Sequence, residues 1–469
     1  MDYDVLVVGG GIIGCSVAYE MSKYNLNIAL IEKHYDIADD ISFINTSVVY
    51  DGSETSDTVM ASLEKIGSEL IEEACSKFKV TYKKIGSLRL GDNDEDILNL
   101  QDMYKRAKIR GIDKVHLISQ EEALNIEPNL NIPFKKALYS ENVAIITPYD
   151  LAIAYGEVAA DNGVNVRFEE EVLNISNISK GFKVTTNKNK FTCRVVINTI
   201  AKEVYIDENI DKLSEENSII KFSKNMSYYL VDDNIDKALE KIVVKVLDDN
   251  TFVLNMPNIS GGSILGIKNP RAVNIDDGIE YANMLVPGIH KSNVSNIFSD
   301  AYKKDLMVID DTCMDKGYIR VTGTHYGKIT LAPAIAKTIS DAIALNLKAT
   351  EKKDFIDRRR EFYRFRDMTM DERNEIISLD KRYGNIICLC NQVTEGEIVD
   401  SIRRPLGART LQGIKRRTGA ALGNCHGSFC VRKMVNILAR EMDKKPTEIV
   451  EDSKDSKVWI GRIKEFDEV

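Results

Sequence analysis

Four cysteines gather near the C-terminus as Cys388-Leu389-Cys390 and Cys425-His426-Gly427-Ser428-Phe429-Cys430, while Cys15, Cys75, Cys193 and Cys313 stand singly. Thiolates are soft ligands, and four of them complete either a tetrahedral zinc or the shell of a two-iron, two-sulfide cluster. Many four-cysteine zinc sites use CxxC pairs, whereas CxC with CxxxxC suits a sulfide-bridged pair of irons. Zinc stays open on spacing alone. A disulfide framework fits poorly, because a chain of 469 residues needs no staples and no apolar signal segment follows Met1.

A second group of residues suits a pyrophosphate. The β-branched run from Asp4 to Val8 meets Gly9-Gly10-Gly11-Ile12-Ile13-Gly14 directly, a GxGxxG at the end of a strand. Gly9 permits the tight turn, Gly11 lets the backbone approach the phosphates, and Gly14 lets the next helix pack closely. The phosphates then face a helix N-terminus, where free N–H groups favour an anion. A helix over Cys15 to Asn25, with Val17, Ala18 and Met21 inward, leads to a strand from Ile28 to Glu32. Glu32 ends that strand, where its carboxylate can accept both hydroxyls of a ribose. FAD and NAD share this ADP half; the position at the N-terminus favours FAD. The apolar runs Arg194–Asn198 and Tyr318–Gly323 are candidates for returning strands, and a helix from about Ala334 to Leu347 follows the second.

These sites need scaffolds, and the length supports two or three domains. A hydrophobic fraction of 43% and a charged fraction of 29% mark a soluble globular protein, and the net charge of -9 argues against nucleic acid as a partner. No apolar run is long enough for a transmembrane segment, and a cytoplasmic location is expected. Arg403-Arg404 and Lys415-Arg416-Arg417 read as solvated helix faces.

The run DVLVVGGGIIGCSVAYEMS, then IALIEK, GSLRL, EPNL and TPYDLAIAYGEVAADNGV resembles the D-amino-acid-oxidase superfamily. Within it, the chain is similar to bacterial FAD-dependent glycerol-3-phosphate dehydrogenases and L-2-hydroxyglutarate oxidases. From Tyr383, YGNIICLCNQVTEGEIVDSIRRPLGARTLQGIKRRTGAALGNCHGSFC resembles the [2Fe–2S] domain of bacterioferritin-associated ferredoxin type. The resemblance implies FAD on Gly9, Gly11, Gly14 and Glu32, and a [2Fe–2S] cluster on Cys388, Cys390, Cys425 and Cys430. It extends the FAD contacts to Ile12, Lys33, Asn45, Ser47, Val172, Gly323, Lys328, Ile329 and Thr330. It also implies an α/β fold: a Rossmann-like FAD-binding domain, an interleaved antiparallel-sheet substrate domain and a small helical [2Fe–2S] domain. The expected divisions are 1–81, 141–220 and 300–349 for FAD, 82–140 and 221–299 for substrate, 350–382 as linker, 383–445 for the cluster and 446–469 as tail.

The departures fall at the substrate end. Where relatives carry a histidine after the second strand, this chain has Tyr50, and an ordinary tyrosine with a pKa near ~10 is a poor base at neutral pH. Where they carry an arginine facing a substrate anion, it has Tyr302, so the bidentate fork is missing and Lys303 is the candidate point charge. Lys328 replaces a glycine before Ile329-Thr330 and reads either as a solvent-facing lysine beside Gly327 or as a cation beside the flavin pyrimidine. Tyr50, Tyr302 and Lys303 are therefore the candidate catalytic residues. The resulting expectation is an FAD-dependent dehydrogenase of a small hydroxy acid, polyol phosphate or amine. Its electrons would leave through the cluster to a second flavoprotein or other acceptor subunit. The alternative is a catalytically degenerate flavin and iron–sulfur relay subunit.

Overall fold

The computed structural model describes residues 1–39, 47–200, 224–232, 238–248, 250–259, 261–302, 306–423 and 425–461. At its centre lies the strand Tyr3–Val8, between Ile28–Ile31 on one side and Lys190–Asn198 on the other, both parallel to it. Asn165–Arg167 extends the sheet beyond Ile28–Ile31, and Tyr318–Thr324 pairs in parallel with the C-terminal half of Lys190–Asn198. Three antiparallel strands, Val172–Ile178, Gly181–Thr186 and Leu306–Cys313, complete its eight. Both faces of the central strand are buried, as continuous apolar runs in parallel sheets require. Val5 and Val7 join the core beneath the helices, while Leu6 and Val8 pack with Ile31, Phe182 and Val184.

The first helix spans Ile12–Ser22, one turn ahead of the expected start at Cys15. Gly11 is its N-cap in extended conformation, so Ile12 and Gly14 already form the first turn. Every residue of this helix is buried, because Pro148–Asp161 and Lys328–Leu347 lie against it. The last of these also begins earlier than the expected Ala334, and it carries Pro333 internally.

A second sheet of eight strands stands over the first domain, in the order Val294–Tyr302, Lys224–Val231, Ser263–Asn269, Thr251–Pro257, Ile242–Asp248, Ser87–Gly91, Lys136–Ser140 and Val115–Ser119. Its pairing is antiparallel except where Ile242–Asp248 meets Ser87–Gly91, the junction of two distant chain segments. Met226, Tyr228, Leu254, Met256 and Ile264 form one core with Val48 and Ile145 of the first domain. Tyr229, Val231, Leu265 and Ile267 point the other way, into a core that includes Ala282 and Leu285 of the helix Ile275–Leu285. The strand Val294–Tyr302 runs through the boundary expected at 299/300, since its pairing continues to Tyr302 opposite Lys224.

After the helix Lys328–Leu347 the chain runs back over the first domain: the Lys352 N–H donates to the Lys23 carbonyl at 2.8 Å, and Tyr19 Oη donates to Asp357 at 2.7 Å. Helices Glu395–Arg403, Leu411–Thr418 and Val431–Glu441 then enclose Ile398, Ile414 and Leu438. Val458 and Trp459 of the tail pack on this core. Three arginines expected on solvated faces are buried instead: Arg404 at 8%, Arg416 at 8% and Arg417 at 2% exposure. They pair with Glu157, Asp39 and Asp36 of the first domain, and those partners lie too far off in sequence to be anticipated.

Candidate active site and metal centre

The turn after the central strand is shaped for a ligand at the carboxyl end of the sheet. Gly9 has φ +99°, open to glycine, and a Cβ on Gly14 would stand 1.8 Å from the Gly9 carbonyl oxygen. Helix and turn therefore touch without a side chain between them. The Gly10 N–H donates to Glu32 Oε2 at 2.6 Å and the His34 N–H to Oε1 at 2.8 Å, which fixes the carboxylate at the rim of the turn. A glycine-tight turn, a helix N-terminus and an oriented acid together fit the pyrophosphate and ribose of a dinucleotide.

The other sequence-predicted contacts lie on several elements. Ile12 is buried in the first turn and Lys33 is exposed just past Glu32. Ser47 is buried, with its hydroxyl 3.8 Å from the Met256 sulfur. Val172 packs among Leu6, Ile31 and Phe182, two residues after Glu170, whose N–H donates to the Glu32 carbonyl at 3.0 Å. Gly323 has φ +85° near the end of its strand. Lys328, Ile329 and Thr330 form the first turn of the following helix, and Thr330 Oγ1 accepts the Tyr50 N–H at 3.1 Å. Asn45 and Lys303 lie outside the described residues, and Tyr302 is described only as a strand residue paired with Lys224.

Between the two sheets an aromatic group surrounds Tyr50. Its ring meets Tyr326 edge to face at 5.5 Å, Tyr326 stacks on His325 at 4.3 Å, and Phe252 meets Tyr326 at 6.1 Å. The Lys268 ammonium stands 5.3 Å from the Phe252 centroid and 5.6 Å from that of Tyr326, a cation held over two ring faces. Lys268 does not stand out in the sequence. Strand register puts it beside Phe252 on one neighbour and Met226 on the other. Alternation alone shows that Lys268 shares a face with Ile264, but not that this face looks toward the first domain.

Burial pushes the Tyr50 phenol well above its ordinary value, with Tyr326 adding to the effect. Tyr50 therefore stays protonated at neutral pH. His325 Nδ1 accepts the Gly327 N–H at 3.0 Å, which in the neutral ring leaves the proton on Nε2. Behind that loop sits Glu64, 1% exposed, bonded to Thr55 Oγ1 at 2.6 Å. Burial pushes its carboxyl up to about 7. Nothing in the sequence singles out Glu64, since a glutamate in an amphipathic helix ordinarily faces water.

The four clustered cysteines converge. The Cys390 thiol lies beside that of Cys425, and the Cys388 thiol beside that of Cys430. The Cys390 thiol and the N–H groups of Gly427, Phe429 and Ser428 lower the Cys425 pKa, while burial raises Cys430 to about 11. His426 at φ 49° and Gly427 at φ +83° shape a loop whose amides face sulfur. A Cβ on Gly423 would stand 2.4 Å from that of Cys390, so the neighbouring loop also presses on the site. Paired thiols under converging N–H groups fit a sulfide-bridged iron pair. Among the described residues no three His, Cys, Asp or Glu side chains are placed to hold a single metal ion.

A glycine turn on a parallel sheet, an oriented acid, a capping sheet and a cysteine centre define a dinucleotide-dependent oxidoreductase with a metal-cluster domain. Residues 4–342 match the FAD dependent oxidoreductase family, and residues 386–440 match the BFD-like [2Fe-2S] binding domain. The chain belongs to this family of FAD-dependent oxidoreductases, and its cofactors are FAD and a [2Fe–2S] cluster. It is 32% identical to a glycerol 3-phosphate dehydrogenase of Caloramator mitchellensis over 98% of this chain and 99% of that one. It is 24% identical to a glycerol 3-phosphate oxidase of Mycoplasma pneumoniae, over 75% of this chain and 97% of the oxidase. The fold resembles that of reduced, FAD-bound L-alpha-glycerophosphate oxidase from Mycoplasma pneumoniae, with a TM-score of 0.65 at 23% identity over 77% and 99% of the two chains. Among the described residues no helix is long and apolar enough to cross a membrane.

Proposed function

We propose that this enzyme dehydrogenates a small polyol phosphate of the glycerol 3-phosphate kind and delivers the electrons through its cluster to an acceptor protein. The observation that carries the reading is that a glycerol 3-phosphate dehydrogenase matches this chain at 32% identity over 98% of it and 99% of that enzyme. The Lys268 ammonium, near the rings of Phe252 and Tyr326, adds a positive charge on the same sheet face as Met226 and Leu254. Tyr50 orients the reacting hydroxyl as a neutral donor, and the apolar face carrying Met226, Tyr228, Leu254 and Met256 keeps water out. Bound FAD supplies a two-electron acceptor that can give up its electrons singly, which suits a one-electron iron–sulfur neighbour. The full-length similarity to a glycerol 3-phosphate dehydrogenase supports the same substrate class.

Anaerobic addition of glycerol 3-phosphate is expected to bleach the flavin absorbance, and glycerol is not. The second reading, a relay subunit without its own substrate, draws on the raised pKa of Tyr50, which leaves no base where relatives have a histidine. Failure of every polyol phosphate, 2-hydroxy acid and amino acid to bleach the flavin, with full reduction by a partner flavoprotein, would establish that reading and sink the first.

A further inference from the structure

The segment after Glu32 is held from two sides. On its inner side the Ala38 N–H donates to the Gly10 carbonyl at 2.9 Å, and Ile37, fully buried, reaches within 3.1 Å of where a Gly10 Cβ would stand. Gly10 in turn donates to Glu32 at 2.6 Å. Residues 36–38 thus back the glycine turn and the ribose acid.

On its outer side the same segment is gripped by the cluster domain. Arg417 Nη1 donates to Asp36 Oδ2 at 2.5 Å and Nη2 to Oδ1 at 2.7 Å, with side-chain exposures of 1% and 2%. The same two nitrogens donate to the Gly413 and Leu406 carbonyls at 3.1 and 2.6 Å. Arg416 pairs with Asp39 at 2.8 Å. A Cβ on Gly413 would lie 2.7 Å from Asp36 Oδ2, so the helix Leu411–Thr418 approaches this carboxylate as closely as glycine allows. Leu406 completes the contact, 3.2 Å from a Cβ placed on Gly156. A planar fork on a carboxylate, dry on both sides, has one geometry.

We propose that Arg417 is a positioning residue for FAD: the docked cluster domain sets residues 36–38 against the Gly10–Glu32 pair, so FAD retention and cluster-domain docking are coupled. The coupling is reciprocal. Whatever factor docking adds to FAD affinity, FAD adds to docking. The inference concerns cofactor retention and is independent of which substrate the enzyme oxidises.

The test follows FAD release from the cluster-containing holoenzyme after dilution, by the appearance of free flavin fluorescence. Arg417→Lys keeps the charge and loses the fork, and Gly413→Ala crowds Asp36; each is expected to speed release by roughly five- to hundredfold, the range of typical site–site coupling. A structural role alone would leave release unchanged in variants that keep the cluster absorbance and its reduced-state spin signal. Hydrogen exchange on the unaltered protein guards against variants that fail to fold. Amides of residues 411–418 are expected to exchange more slowly with FAD bound than in the flavin-stripped full chain. Release rates within twofold of wild type in folded variants, or equal exchange with and without FAD, would overturn the proposal.

Discussion

The Lys268 ammonium stands 5.6 Å from the centroid of Tyr326, whose ring in turn meets Tyr50 at 5.5 Å and an angle of 81°. Lys268 lies on a strand of the second sheet and Tyr50 follows the short strand Val48–Val49, so the cation and the phenol each approach the Tyr326 ring.

Lys268→Gln removes the charge and keeps a polar tip. For an anionic substrate the loss of one charge-assisted contact is expected to lower kcat/KM by about ten- to a hundredfold. Flavin and cluster absorbance should be unaltered. A variant as active as wild type would remove Lys268 from substrate binding.

Because burial holds the Tyr50 phenol protonated, Tyr50 adds no ionisation to the pH–rate profile below about pH 10. Tyr50→Phe is expected to cost about tenfold in kcat/KM and to leave the profile's shape unchanged. Tyr50→His brings in a group that titrates near ~6.5 and should add an ascending limb there. Stopped-flow flavin reduction across pH distinguishes the two.

Glu64 makes stability depend on pH in a definite sense. Its folded-state value of about 7 lies above the ordinary value of 4.5, so below pH 4.5 both states are protonated and no cost arises. As pH rises from there through 7 the unfolded chain ionises first, and the native state loses about 3 kcal/mol in all. Glu64→Gln is expected to flatten this decline in denaturant midpoints between those pH values. Asp51, Glu54 and Arg110 act on the same carboxyl, so their own variants should shift the window.

Glu157 works in the opposite direction. Burial opposes its ionisation, yet Arg359 and Arg404 outweigh burial and bring it down to about 2. Its stabilisation is present above the ordinary value of 4.5 and disappears as pH falls toward 2. Arg404 belongs to the cluster domain and Arg359 to the strap before it, both within 2.8 Å of Glu157. Acid should therefore loosen the cluster domain, seen as a fall in the exchange protection factors of residues 395–403 on going from about pH 5 to about pH 3, and Glu157→Gln should show the lowered protection already at about pH 7.

Much of the dinucleotide site is legible in the chain itself. The strand, the glycines, the first helix and Glu32 are consecutive, and their conformations follow from local sterics and hydrogen bonding. Local signals also misplace some features. The first helix opens at Ile12 and the later one at Lys328, because the chain's own glycine turns, Gly11 and Gly327, cap them. Arg416 and Arg417 look like a solvated basic face in a helix taken alone, and only carboxylates from the far end of the chain, Asp39 and Asp36, make their burial tolerable.

By itself the sequence determined the cofactor machinery, since glycines that must touch and cysteines that must converge announce themselves by type and spacing. Tertiary structure decided what surrounds that machinery. Lys268 faces the first domain because an eight-stranded sheet turns one of its two apolar faces that way, and alternation alone cannot say which. Tyr50 stays protonated because the folded chain takes water from it, and Arg417 binds Asp36 because two domains meet there. Desolvation and long-range pairing belong to the packed molecule, and no stretch of residues carries them alone.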